Sequence, residues 1–583
     1  MEISKLSIGY VLTFLLTMLG CQSTQTHDQP QAKSTTLTEK ASNDVDVTLA
    51  NSESKHEFNW AGTLVNRVHS IFYHRHLNQD LLQSEREENL FNSIVEVQID
   101  GQCLFTVAEI ESLRARSQSE MLTDAQNRRF DSGDWLFQQI DLRHSEQLTY
   151  KLDALAGRQV QTVGIDNPLL DCWQQQLADD HSWLSRLEMS SEASNEYLVA
   201  NYQSQLNKIE AQSQKSRAQR WASAYAKAFG KDDGYLPANH VVEQPKEHAG
   251  LGLLLVANGY GAEVIDTPFT TSPTNIVPGE VVIAIGDDQL NLTPMLNRPL
   301  KEVVTFLRGE AGSSLTLWLY SPQSDQIRIV EETRHQPARK STLSFSLSTD
   351  QQVALVKLSS MPVGVSDQFA EVIKQLRQRS INNLVLDLRG NGGGTLRELT
   401  KLLGQFGLEG KAYALHQPSE VSFQDIVVAE TSFAGNVVVL VDHNTAGEAE
   451  MLTATMQDYH RAMVVGESTY GHGVVRQYRS LDRIYDLFED KLGYVALTFA
   501  TLHRIDGTPV DGLGVQPDVL IPQTLDKDLS HNTTHSRKTH GTSAFSGEHQ
   551  QLTKLDEGLS LSNHSVEETT QLAIDIARTL NKI

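Results

Sequence analysis

Leu384-Val385-Leu386-Asp387-Leu388-Arg389-Gly390-Asn391-Gly392-Gly393-Gly394-Thr395-Leu396-Arg397-Glu398-Leu399 is the stretch that decides how this 583-residue chain is read. An apolar run enters three consecutive glycines and passes directly into helix-like spacing. Glycines at a strand-to-helix turn leave backbone N–H groups open to close approach, so the turn can cradle an anion or a developing oxyanion. A second strand, Val437 to Val441, then runs into Asn444-Thr445-Ala446-Gly447-Glu448-Ala449-Glu450 and a helix reaching Tyr459. The stretch closes with Val464-Val465-Gly466-Glu467-Ser468-Thr469-Tyr470-Gly471-His472-Gly473 and the segment to Gln477.

The strings LDLRGNGGG (from Leu386), MQDYHRAMVVGE (from Met456) and QYRSLDRIYD (from Gln477) stand in an order and spacing that resembles the tail-specific, C-terminal-processing serine peptidases. The resemblance implies a nucleophilic Ser at the start of the helix after the second strand. It also implies a Lys base in the following glycine turn and a Gln four residues later that orients the Lys. Those positions fall on Gly447, His472 and Arg476. Glycine offers no oxygen nucleophile for a neighbouring base to activate, and Arg476 cannot accept a proton. A site with no intact catalytic residue is therefore expected, a pseudopeptidase that keeps the fold and the peptide groove. The alternative is an active processing endopeptidase in which Thr445, or Ser468, serves with His472; Thr445 stands two residues early for that role. By the same resemblance Gly392, Gly393, Gly394 and the N–H of Glu448 form an oxyanion-hole-like cradle. His472 and Glu448 alone fall short of a metal's ligand set, so no metal or cofactor is expected.

Residues 1–21 have the pattern of an export signal: Lys5, an apolar run from Ile8 to Leu19, then Gly20-Cys21. A small residue followed by Cys resembles a bacterial lipoprotein processing site, which implies lipidation of Cys21, with ordinary secretory cleavage as the alternative. Gln22 after the Cys implies an outer-membrane lipoprotein facing the periplasm. Residues 22–57 are polar, too poor in apolar side chains to fold, and read as a tether. Residues 58–245 show helical spacing, as in Leu64-Val65-Val68-Ile71-Phe72 and Trp221-Ala222-Tyr225-Ala226. The His74-Arg75-His76 cluster reads as surface. Cys103 and Cys172 are either a disulfide, which an exported compartment permits, or two buried thiols. In place of the family's Asp-Pro-His-Thr-like motif stands Lys231-Asp232-Asp233-Gly234.

Residues 246–335 resemble a PDZ domain. Gly250-Leu251-Gly252-Leu253 matches the loop that takes a peptide's terminal carboxylate, and the strand after it would pair with the peptide. Pro278 to Gly286, Pro299 to Leu307 and Ser314 to Leu319 supply the expected strand, groove helix and closing strand. Residues 336–524 alternate strands with amphipathic helices, which argues for a layered α/β core. Residues 525–583 read as a polar linker with scattered histidines and a terminal helix around Leu572, Ile574, Ile576 and Leu580. The expected fold is therefore multidomain α/β: helical N-terminal domain, PDZ domain and peptidase-like core. A net charge of −24 lacks the basic footprint of a nucleic-acid binder. The expected partners are protein C-terminal tails or unfolded polypeptides.

Overall fold

The computed structural model describes residues 59–158, 167–238, 249–267, 274–287, 292–335, 342–483, 486, 490–521 and 566–580. The expected signal, Cys21, the tether and the histidines of 525–550 lie outside these residues. The described part opens with helices α1 (Trp60–Arg75), α2 (Gln83–Gln98), α3 (Val107–Gln126), α4 (Asp131–Leu155), α5 (Asn167–Arg186), α6 (Ser191–Glu210) and α7 (Gln214–Phe229). Their starts are set by local chemistry. The Asn59 side chain accepts the Gly62 N–H, and Thr106 and Glu109 satisfy each other's backbone N–H groups in a capping box. Leu64, Val65, Val68 and Phe72 of α1 meet Trp221, Tyr225 and Phe229 of α7 in one apolar core. Cys103 and Cys172 are joined in a disulfide, with Cα atoms 6.3 Å apart, inside the range such a bridge requires.

The surface assignment of the His74-Arg75-His76 cluster does not hold for His76, which is buried and bonded through Nε2 to Asp233 Oδ2 at 2.7 Å. The last turn of an amphipathic helix carries it inward, and its acceptor lies 157 residues away. Two turns earlier, His69 is buried against the Tyr225 hydroxyl, 2.8 Å from Nδ1. Burial first, and the nearby Arg86 second, lower its pKa to about 4.

After β1 (Gly234–Leu236) come β2 (Leu254–Asn258), β3 (Gly261–Asp266), β4 (Val281–Ile285), β5 (Thr293–Pro294), α8 (Leu300–Leu307), β6 (Ser314–Ser321) and β7 (Gln326–Thr333). Strands β2-β3-β4-β6-β7 form an antiparallel sheet with β5 beside β4. Val303 and Leu307 of α8 pack on Leu255, Val264, Val282 and Leu317. Trp183 of α5 stacks on Tyr260 at 4.1 Å, and the Tyr197 hydroxyl of α6 donates to the Leu296 carbonyl at 2.7 Å. Lys208 of α6 pairs with Glu302 of α8. The helical region thus grips this sheet while β2 stands at its edge.

The remainder comprises β8 (Leu343–Leu347), β9 (Val353–Leu358), α9 (Val365–Gln378), β10 (Asn383–Asp387), α10 (Leu396–Gln405), β11 (Lys411–His416), β12 (Val421–Asp425), β13 (Asn436–Val441), α11 (Glu448–Asp458), β14 (Met463–Gly466), β15 (Val474–Ser480), β16 (Tyr494–His503), β17 (Val519–Leu520) and α12 (Val566–Thr579). The central sheet runs β17-β14-β13-β10-β9-β8, parallel except for β8. Val385, Val438 and Leu440 face one side, while Leu384, Leu386, Val437 and Val439 face the other. That double burial accounts for the near-continuous apolar strands. Helices α9, α10 and α11 cover one face and α12 the other, through Ala573, Ile574, Ile576 and Ala577. A second sheet, β1-β16-β11-β12 with β15 beside β16, joins the N-terminal region to the core: β1 pairs with β16 from Gly234↔Ala496 to Leu236↔Tyr494.

Two outcomes follow. Because folded His69 favours its neutral form, stability falls as pH drops from 6.5 toward 4. His69→Gln keeps an acceptor for Tyr225 and does not titrate. It is expected to remove up to about 3 kcal/mol of that loss, since a tenfold change in proton affinity is worth about 1.4 kcal/mol. Urea unfolding at pH 7 and pH 4 measures the difference. Ile576→Ala is expected to destabilise the protein by about 2–5 kcal/mol in the same measurement at neutral pH, since Ile576 is 6% exposed.

Candidate functional site

The site lies where β10 and β13 deliver their C-terminal ends side by side, with Asp387 opposite Leu440. In open parallel sheets this end is where ligands are received. Beyond β10 the glycine turn is built in a fixed way. The Asn391 amide donates to the Leu358 carbonyl, and its oxygen accepts the Gly393 N–H at 2.9 Å. Gly393 has φ +99°, and a Cβ there would stand 2.4 Å from Glu448 Oε2. A Cβ on Gly394 would stand 2.0 Å from the Met361 carbonyl oxygen. Both positions need glycine because another chain segment occupies the space.

Beyond β13 the chain turns sharply. Gly447 stands at φ 60°, ψ −125°, immediately before α11. Such a conformation costs a residue with a side chain on the order of 1–3 kcal/mol. A Cβ at 447 would meet only the Gly392 carbonyl at 3.4 Å and the Gly393 Cα at 3.8 Å. The space for a side chain beside the glycine turn is therefore present.

Three of the four oxyanion-hole-like donors are already engaged. The Gly394 N–H donates to Glu448 Oε2 at 2.8 Å, and the N–H of Glu448 itself also supports that carboxylate. Gly393 donates to Asn391, and Gly392 has no hydrogen-bond acceptor for its N–H among the described residues. Burial raises the Glu448 pKa above the ordinary carboxylate range, while these N–H groups and the charge of Arg476 oppose the shift.

Thr445 does not face His472. Its buried hydroxyl bonds the Leu388 carbonyl at 3.1 Å and Asp442 Oδ1 at 2.9 Å, and accepts the Asp442 N–H at 3.0 Å. These bonds hold the turn after β13 and engage the hydroxyl away from His472. Ser468 likewise bonds the Gln516 side chain, at 2.7 Å. His472 lies with Asp232 Oδ2 3.9 Å from its Nδ1, outside hydrogen-bond range. Burial lowers its pKa, Asp232 raises it, and Arg476 and Lys231 lower it further. Arg476 donates to the Asp232 carbonyl at 3.2 Å. Asp233 fixes this corner, accepting from the Thr498 N–H at 2.6 Å while bound to His76.

Two acidic residues outside the positions at 447, 472 and 476 organise the site. Asp232 reaches His472 and Arg476 across 240 and 244 positions, a pairing that no local spacing announces. Glu450 is fully buried. Its carboxylate accepts the N–H groups of Gly447 (2.9 Å), Gly471 (2.7 Å) and His472 (2.8 Å), and the Thr469 hydroxyl. The spacing from residue 447 to a Glu three places on is the local signal, since an acid there reaches back to the first free N–H of a helix. Glu450→Ala would leave those buried donors without an acceptor, at about 1–3 kcal/mol each when unsatisfied. It is expected to lower the unfolding free energy by at least about 3 kcal/mol, measured by denaturant unfolding, with Glu450→Gln less damaging.

Residues 352–521 match the model of peptidase family S41. The tail-specific protease of Haemophilus influenzae is 27% identical over 257 residues, covering 43% of this chain and 36% of that protein. The carboxyl-terminal-processing protease of a Picosynechococcus species is 30% identical over 238 residues, covering 39% of this chain and 53% of that protein. The chain thus matches about a third to a half of these relatives' lengths. Among solved structures, the photosystem II D1 C-terminal processing protease aligns over 55% of this chain and 86% of its own, at 20% identity and a TM-score of 0.41. Residues 352–521 thus carry a match to peptidase family S41, and over 39–43% of its length the chain is similar to tail-specific and carboxyl-terminal-processing proteases.

Proposed function

We propose that this chain binds protein C-terminal tails or unfolded polypeptide segments without cutting them. The observation that carries this reading is the absence of any side chain at Gly447, where the backbone turns tightly into α11. The hydroxyls that could substitute are committed elsewhere, Thr445 to the turn and Ser468 to Gln516. His472 has no hydroxyl to activate, and Arg476 serves the Asp232 carbonyl.

Residues 246–335 are read here as a PDZ domain. In support, the Gly250–Leu253 loop precedes the edge strand β2, and α8 packs beside β2 and β3. Gly250 is tied to His335 by reciprocal backbone bonds of 2.9 and 2.8 Å, and Gly252 has φ +71°. A tail would add to β2 as a strand, with its carboxylate in the loop. The active alternative, with Thr445 and His472 as a pair, needs the Thr445 hydroxyl to leave its present partners. The lipidated anchor at Cys21 and an outer-membrane position facing the periplasm complete the proposal. Among the described residues no helix is long and apolar enough to cross a membrane.

The test uses the chain from residue 22 onward and an unfolded protein with an apolar C-terminus. Binding without cleavage is expected. Gly252→Val, which places a branched side chain at positive φ, is expected to weaken that binding at least about tenfold. Cleavage by the unaltered protein that disappears in Thr445→Ala would establish the active alternative instead.

A further inference from the structure

Glu448 is a carboxylate on the backbone donors from which an oxyanion cradle would be built. Its Oε2 lies 2.8 Å from the Gly394 nitrogen, and its own N–H joins in. The residue is half-buried, and no side-chain cation pairs with it directly among the described residues; Arg476 influences it from farther away. The glycine turn cannot retreat from it. The Gly393 carbonyl accepts the Met361 N–H at 2.9 Å, the Thr395 N–H donates to the Met361 carbonyl at 3.0 Å, and that carbonyl fills the Cβ position of Gly394. The turn is therefore held between Met361 on one side and Glu448 on the other. A carboxylate drawn out of water is tolerable when it accepts charge-assisted bonds, and the cradle supplies them.

We propose that the Glu448 carboxylate is the resident occupant of the anion cradle and excludes a peptide's acyl oxygen or carboxylate from it. The inference deepens the non-cutting reading and rests on it for its meaning. Glycine at 447 removes the nucleophile, and Glu448 separately withdraws the donors that would stabilise a tetrahedral oxyanion. Restoring Ser, Lys and Gln at 447, 472 and 476 would accordingly leave a site with a hydroxyl and, of the four cradle donors, only the Gly392 N–H free.

The experiment compares Gly447→Ser/His472→Lys/Arg476→Gln with the same variant carrying Glu448→Ala, using a fluorophosphonate probe. Attack by the introduced hydroxyl forms an O–P bond, expels fluoride and directs the phosphoryl oxygen into the hole. The expected result is labelling at least about 100-fold faster with Glu448→Ala, since one such donor is worth about 10²–10³ in rate. Equal rates within about threefold, whether both fast or both absent, would overturn the proposal.

A second readout needs no engineered nucleophile. In the otherwise unaltered chain, Glu448→Ala is expected to speed hydrogen exchange of the Gly394 amide at least about tenfold, and unchanged protection would refute the assignment. Glu448→Ser replaces Glu448→Ala in both measurements if the alanine variant does not unfold cooperatively. Cleavage by the unaltered chain would sink the non-cutting reading but not the occupancy, which Gly394 exchange reads alone.

Discussion

The Glu450 carboxylate draws together three stretches that the parallel sheet alone would leave independent. It takes the Gly447 N–H at the start of α11, the Gly471 and His472 N–H groups of the next turn, and the Thr469 hydroxyl. Thr469 in turn accepts the Val515 N–H at 2.7 Å, so the segment leading to β17 is held as well. A buried anion would be costly without these donors; with them it acts as a hub. The backbone at residue 447, a conformation that glycine adopts without steric cost, is held in place by these bonds.

Fold and chemistry are separable at this site. The ends of β10 and β13 bring the glycine turn and the tight turn at Gly447 together. The side chains around them satisfy backbone groups of the site: Glu448 the Gly394 N–H, and Arg476 the Asp232 carbonyl. Buried polar groups seek partners, and here they find them within the site itself.

Much of this was legible in the sequence, for identifiable reasons. Leu384–Leu388 and Val437–Val441 declare strands by unbroken apolar runs, and the strand-to-helix turn at Gly392–Gly394 follows from local composition. The glycines at 393 and 394 are required by close approach of Glu448 and Met361, which a glycine run hints at without naming the neighbour. The altered residues at 447, 472 and 476 were visible through their order relative to Gln457. Long-range pairings were not. His76 reads as surface until Asp233 is brought to it, and Gly234–Leu236 reads as part of a helical segment until β16 pairs with it. The destination of the Glu448 side chain depends on a turn 54 residues earlier. The Cys103–Cys172 pair was open on sequence alone because spacing does not fix distance.

The position of α12 in the chain bears on the order in which the protein is made. The face that contains Val385, Val438 and Leu440 is complete once β17 has been synthesised, yet its covering helix lies beyond residues 522–565. That interval is 44 residues, from 521 to 566. At about 5–20 residues per second it corresponds to roughly 2–9 s of elongation. During that time a nascent chain would carry a broad aliphatic surface with nothing of its own to cover it. A holding factor or a delay in core consolidation would be needed in that interval, and the burden falls on biogenesis rather than on the finished molecule.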